Sequence, residues 1–277
     1  MVIGKKHAMK DMTFLEFKDR AADQPVILLP FGSQEQQGPC GPMGDYMLSE
    51  RLAEMTAEAA DALCAPTMPF GFAEVFRTFP GGIQVRAETF CHVLEDMALA
   101  MLNHGLERLV VFNGHTGNSG LIDQVAHKIR REKGVAIASL NIWKILPEEF
   151  WVSLHGPIGS KAGGHGGDPV LSVYHHLFPH LVTMAPPRSS RSSPILGLPP
   201  IGTSAVNFEG ISVSLPITTD EVDPLGLIGG DPRLSNARIG AAITEHIVQV
   251  SARFVRHFRN TDPRNITVGP VTAQDGR

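Results

Sequence analysis

The stretch Pro25-Val-Ile-Leu-Leu-Pro30-Phe-Gly-Ser-Gln-Glu35-Gln-Gln-Gly-Pro-Cys40-Gly-Pro-Met-Gly-Asp45 sets a short apolar run against a polar, glycine-rich segment, and a segment of helical period opens at Tyr46. The run PVILLP is too short for a stable helix and is bounded by turn residues, so it reads as a buried strand. The same order returns downstream. LVVF at 109–112 leads into Asn113-Gly-His115-Thr-Gly-Asn118, after which helical spacing begins at Ser119, and VAIASL at 135–140 reads as a third strand. Helices are expected over residues 46–62, 87–104, 119–132, 169–177 and 234–258. In the second of these, Phe90, Val93, Leu94, Met97, Met101 and Leu102 form one apolar stripe, read as core. Strands alternating with helices predict an α/β fold with a mainly parallel sheet covered on both faces.

The bulk composition narrows the class. With 277 residues, 43% of them hydrophobic, the chain is expected to form a single domain over 1–277. A formal charge of −4, from 28 acidic and 24 basic residues, is too balanced for a nucleic-acid partner. No apolar run of about 18 residues is present and the first residues lack a signal-peptide core, so a cytoplasmic protein without membrane association is expected. Three cysteines at unpatterned spacing argue against a disulfide framework or a structural zinc site, and Cys64 and Cys91 read as small buried residues. No G-x-G-x-x-G opens a helix after the first strand, which argues against a redox enzyme. Residues 184–216, with PPRSSRSSP at 186–194, are too rich in Pro, Ser and Gly for regular layering and read as a long excursion.

Three polar clusters follow strands or precede helices. In parallel sheets the crevice beyond the strand carboxyl ends is where ligands bind, so Glu35 and Asp45 are placed as oxygen ligands; the rival reading is a solvated carboxylate and a helix N-cap. His115 sits on the second strand-to-helix turn and reaches the same crevice. The third cluster, Gly163-Gly-His165-Gly-Gly-Asp168-Pro169, offers His165 as an acid/base and Asp168 as a ligand or an N-cap. A histidine with carboxylates from several strand ends is a common way to hold a divalent ion and activate water.

Taken together, these segments resemble the signature of the creatininase family. Its G-S-x-E-Q-H-G-P-H-L-P followed by Asp reads here Gly32-Ser33-Gln34-Glu35-Gln36-Gln37-Gly38-Pro39-Cys40-Gly41-Pro42, then Asp45. Gly71 with Phe79-Pro-Gly-Gly82 is similar to its G…FPGT turn, Asn113 to Asn118 to NGHGGN, Gly164 to Asp168 to GHAGE, and Gly229-Gly-Asp231-Pro232 to its late GDP segment. The five motifs run in order across nearly the whole chain.

The resemblance implies a three-layer α/β/α sandwich, one or two divalent ions per subunit (Mn, Zn or Fe) and a homo-oligomer, commonly a hexamer. It makes Glu35, Asp45, His115 and Asp168 metal ligands, with Gln37 in the place of a ligating histidine, and His165 the acid/base or a substrate contact. Cys40, at another histidine position, and Asn113 become substrate-binding candidates. Gln37 offers a neutral oxygen, better tolerated by manganese or magnesium than by zinc. The activity implied is water attack on a carbonyl of a small cyclic substrate, either a cyclic amide or a keto-polyol such as a dehydro-inosose. Two rivals stand beside it: a small-molecule-binding paralogue without chemistry, and a metal-dependent isomerase or lyase on a polyol ketone. His155, Lys161, Arg77, Glu74 and Trp151 read as ordinary surface or half-buried side chains near such a pocket.

Overall fold

A computed structural model of the chain describes residues 5–183 and 192–269. Its centre is a parallel sheet of four strands, β1 (Ile27–Phe31), β2 (Leu63–Cys64), β3 (Leu109–Asn113) and β4 (Ala138–Asn141), in the order β2-β1-β3-β4. The register sets Phe31 beside Asn113 and Asn113 beside Asn141, so the strand carboxyl ends finish level. Period-2 alternation sends Leu28, Val110 and Phe112 into one apolar cluster and Ile27, Leu29, Phe31, Leu109 and Val111 into the other. Each fully buried Leu or Val contributes roughly 1.5–3 kcal/mol of transfer free energy, so both faces must be covered.

The first face is covered by α2 (Tyr46–Ala60), α5 (Glu148–His155), α6 (Val170–Leu177) and α8 (Ala237–Arg259). The second is covered by α1 (Phe14–Ala22), α3 (Ala87–Asn103) and α4 (Ser119–Lys133), giving the three-layer α/β/α sandwich expected from the sequence. All five expected helices and all three expected strands are present, with ends moved for local reasons. α2 stops at Ala60 because Asp61 turns left-handed at φ 53°, and α4 runs one residue further to a left-handed Gly134. α8 starts after Asn236, whose side chain accepts from Ile239 N at 3.0 Å, rather than at Leu234. β4 begins late because Ala136 N donates to Pro263 O instead of joining the sheet. α1 and α5 were not anticipated, although α1 opens on a Thr13/Glu16 capping box.

Of the excursion expected over 184–216, residues 184–191, with most of the PPRSSRSSP cluster, fall outside the described residues, and residues 192–216 lie outside the four-stranded sheet. The rest is more ordered than a loop. β5 (Pro200–Ile201), β6 (Ala205–Phe208) and β7 (Ile211–Ser214) form a small antiparallel sheet, followed by the short α7 (Thr219–Val222). Among the described residues no helix is long and apolar enough to cross a membrane.

Candidate metal centre

Glu35 and Asp45 lie on the connection that leaves β1, and His115 on the connection that leaves β3 beside it, so the sheet register brings all three to one spot. Each offers one ligand atom, and these atoms lie within 4.8 Å of one another in a buried cluster. His115 Nδ1 is 3.1 Å from Asp45 Oδ2 and 3.2 Å from Glu35 Oε2. Asp45 precedes α2, but its side chain does not cap that helix. Its Oδ1 instead accepts from Ser33 N at 2.7 Å and Ser33 Oγ at 3.2 Å, which overturns the N-cap reading and holds the carboxylate toward His115.

The frame around these groups is itself built from polar side chains. Asn118 Oδ1 accepts from Phe72 N at 2.9 Å and its amide nitrogen donates to Gly32 O at 3.2 Å, joining three connections. Gly71 must lack a side chain, since a Cβ there would meet Gly32 O at 2.4 Å and Asn118 Oδ1 at 2.8 Å. Ser49 Oγ donates to both Phe31 O and Phe112 O, tying α2 to the ends of β1 and β3.

The electrostatics of the cluster are those of a cation seat. Burial alone would lower the His115 imidazole, but the carboxylates of Glu35 and Asp45 override it and raise its pKa well above the usual range. Burial also pushes the Glu35 carboxyl up, against the pull of His115. Two acids therefore share one imidazole, and Glu35 Oε2 has no hydrogen-bond partner. His115 Nε2 faces the Phe72 carbonyl at 3.1 Å, which orients Nδ1 toward the acids; ligating histidines commonly present their second nitrogen to a carbonyl in this way. The donor set of two carboxylates and one nitrogen fits a divalent ion.

A cavity of about 420 Å3 borders the cluster. Glu35, Gln37, Asp45, His115, His165 and Asp168 line it, so six of the eight site residues expected from the sequence meet there. The other two do not reach it. Asn113 is wholly buried, with Oδ1 accepting from His115 N at 3.1 Å, and supports the turn from behind. Cys40 is buried away from the cavity lining. Gln37 points its amide nitrogen at Glu35 Oε1, 3.0 Å away, so it donates to a ligand instead of presenting an oxygen.

His165 stacks on Phe76 with ring centres 4.2 Å apart, and its Nε2 lies 2.8 Å from Gln36 O. The Gln36 amide nitrogen is 2.9 Å from the same Nε2 while also donating to Gly226 O; the carbonyl contact is satisfied when Nε2 carries the proton, leaving Nδ1 basic, and the amide contact when it does not. Burial lowers the His165 pKa to about 4, so the ring is neutral at physiological pH. The backbone here packs too closely for any side chain on Gly164, where a Cβ would meet Gly230 N at 2.2 Å.

Asp168 stands apart from the three donors. Its Oδ1 accepts from Ser172 N at 3.2 Å, in the manner of the expected helix cap, and its Oδ2 lies 2.9 Å from His155 Nε2. His155 thus has a specific partner, and the neighbouring Trp151 is buried with its ring stacked on His155 at 5.7 Å. Of the other residues noted near a pocket, Glu74 lines the cavity, Arg77 pairs with Glu74 at 3.2 Å, and Lys161 is exposed. The sequence reading missed the apolar walls, Phe72, Val75, Phe76, Trp143 and Val170, and missed Thr203, which reaches the cavity from the turn between β5 and β6. The run Phe72-Ala-Glu-Val-Phe76 beside the Gly71 turn was the available signal for those walls.

Residues 10–255 match the creatininase family profile, described as creatinine amidohydrolase. A creatinine amidohydrolase of Pseudomonas putida is 27% identical over 197 residues, covering 66% of this chain and 76% of that protein. A 3-dehydro-scyllo-inosose hydrolase of Thermotoga maritima is 27% identical over 175 residues, covering 62% of this chain and 56% of that protein. A mycofactocin precursor peptide peptidase of Mycobacterium ulcerans is 25% identical over 240 residues, covering 81% and 82%. Among solved structures, a mutant creatininase superimposes with a TM-score of 0.75 at 24% identity over 91% of this chain and 98% of its own, a likeness of fold. Other creatininase structures are a manganese form and a Zn–Zn form.

Proposed function

Because the chain belongs to the creatininase family of hydrolases, we propose that it opens a small cyclic amide by metal-assisted hydrolysis, with Glu35, Asp45 and His115 as the ligands. The observation that carries the reading is the convergence of those three buried donors beside a cavity of small-molecule size. A divalent ion bound there supplies Lewis acidity, polarising a substrate carbonyl and making water a stronger acid. Manganese and zinc forms of related structures support a divalent ion of that kind.

The residues divide the remaining work. Ser33 and the Phe72 carbonyl hold Asp45 and His115 in their facing positions. His165, neutral and with Nε2–H committed to the Gln36 carbonyl, uses Nδ1 to take a proton from the attacking water and pass it to the leaving ring nitrogen. A ring with a pKa of about 4 starts the cycle unprotonated, so His165 acts first as the base and then as the donor to the leaving nitrogen. The net reaction adds OH to the carbonyl carbon and H to nitrogen.

The walls choose among substrates. Phe72, Val75, Phe76 and Trp143 offer flat apolar surface and few hydrogen-bond partners, which suits a planar ring better than a polyhydroxylated one. A cyclic amide is therefore favoured, against the lean toward a hydroxylated ring that the neutral polar groups of the sequence motifs suggested. A small-molecule substrate, a homo-oligomer, hexameric by family resemblance, and a cytoplasmic location belong to the same proposal; light scattering checks the assembly.

The test is turnover of a panel of five- and six-membered cyclic amides by protein loaded with manganese or zinc, in water labelled with heavy oxygen. Ring opening with one solvent oxygen in the product carboxylate, lost on chelation and in Glu35→Gln, is the expected result. Conversion without solvent oxygen points to the isomerase or lyase alternative. Substrate binding without conversion, in protein that takes up no ion, points to a binding paralogue.

A further inference from the structure

The second acid–imidazole pair at the cavity bears on how many ions the centre takes. Asp168 is completely buried and the His155 side chain is 3% exposed, with Oδ2 and Nε2 2.9 Å apart. The approach is off the line of a straight hydrogen bond, and neither atom has a hydrogen-bond partner elsewhere, so each is the other's polar contact. Trp151 backs the imidazole, and Ser172 N–H holds the second carboxylate oxygen at 3.2 Å. One oxygen of Asp168 is thus hydrogen-bonded and the other faces the His155 imidazole.

We propose that His155 withdraws Asp168 from the ligand set, so that this centre takes a single divalent ion on Glu35, Asp45 and His115. The inference rests on the metal reading above and deepens it. Partner count supports it: Glu35 and Asp45 share one imidazole, whereas Asp168 has the His155 imidazole to itself. Gln37 supports it independently. Its amide N–H is donated to Glu35 Oε1, so it turns a hydrogen-bond donor, not an oxygen, toward a ligand of the first seat. A second ion would need Asp168 to leave His155 and Gln37 to reverse its amide, two rearrangements of buried groups. Among the described residues no other cluster of three or more His, Cys, Asp or Glu forms a seat.

The experiment is equilibrium dialysis of the full chain against manganese or zinc, followed by metal counting, on wild type, Asp168→Asn, His155→Gln and Glu35→Gln, with circular dichroism as the check on folding. One equivalent is expected in wild type and Asp168→Asn, with dissociation constants within about tenfold of one another, since outer groups that matter to a metal cost about 10–100-fold; His155→Gln, which releases Asp168 Oδ2, is expected to gain a weaker second equivalent. Glu35→Gln is expected to lose the ion. Two equivalents of comparable affinity in wild type, or a loss beyond about tenfold in a folded Asp168→Asn, overturns this inference and leaves the hydrolase reading standing. No ion in any form overturns both. If Asp168→Asn does not fold, the wild-type count and His155→Gln decide the question.

Discussion

Two groups of acid and imidazole present their acids to the same cavity and differ in how many imidazoles each acid has. Glu35 and Asp45 share His115, whereas Asp168 has His155 to itself. A buried carboxylate needs a positive or donating partner, and the first group supplies one imidazole for two acids. That shortfall is what a divalent ion fills. In the second group Asp168 has its own imidazole at 2.9 Å, and its other carboxylate oxygen accepts from Ser172 N, holding the start of α6. Burial and residue type do not separate the two groups; stoichiometry does.

The largest effect is expected from striking the acid-rich group. Glu35→Gln should reduce turnover of a cyclic amide by more than about 1000-fold and ion affinity by more than about 100-fold, exceeding the cost of losing groups behind a ligand; initial rates and equilibrium dialysis read both. In wild type, affinity should rise from mildly acidic to alkaline pH, because His115 must give up a proton that its two acids hold. His155→Leu strikes the balanced pair and should cost about 3–5 kcal/mol in denaturant-induced unfolding, by leaving Asp168 without its partner, while any folded fraction keeps its ion.

A third imidazole sharpens the contrast, since His165 is half-buried at the cavity wall and pairs with no carboxylate. Burial puts its pKa at about 4, below its unfolded value, so between pH 6.5 and 4 the unfolded chain takes up a proton that the folded chain refuses. Stability from this group is therefore present above pH 6.5 and lost as pH falls toward 4, by on the order of 3 kcal/mol, and His165→Gln should flatten that part of the profile of melting temperature against pH. The smallest effect should come from the frame that serves the first group. Asn118→Ala leaves Phe72 N and Gly32 O without their partners, and should lower stability by about 1–3 kcal/mol in thermal unfolding.

What could be read in advance follows from how local each signal is. β1, β3 and the helices after them were legible because apolar runs, glycine-rich turns and helical spacing are adjacent in sequence. Glu35, Asp45 and His115 were legible as a set because two parallel strands carry their turns to one edge. The His155–Asp168 pair was not, since the end of α5 meets the turn before α6 only through tertiary packing. Nor was the direction of the Gln37 amide, which depends on Glu35 being within 3.0 Å. The small sheet over residues 200–214 escaped because its strands are two to four residues long and sit among Pro, Gly and Ser. Asp45 shows the limit of local rules: it occupies an N-cap position and spends its side chain on Ser33 and His115 instead.

The most direct test of the account is anomalous diffraction from a crystal of the full chain equilibrated with manganese. The account predicts one strong peak per subunit, within bonding distance of Glu35, Asp45 and His115 Nδ1, with Asp168 still on His155. A crystal with no peak among those three residues, at a manganese concentration well above that of the protein, would contradict it.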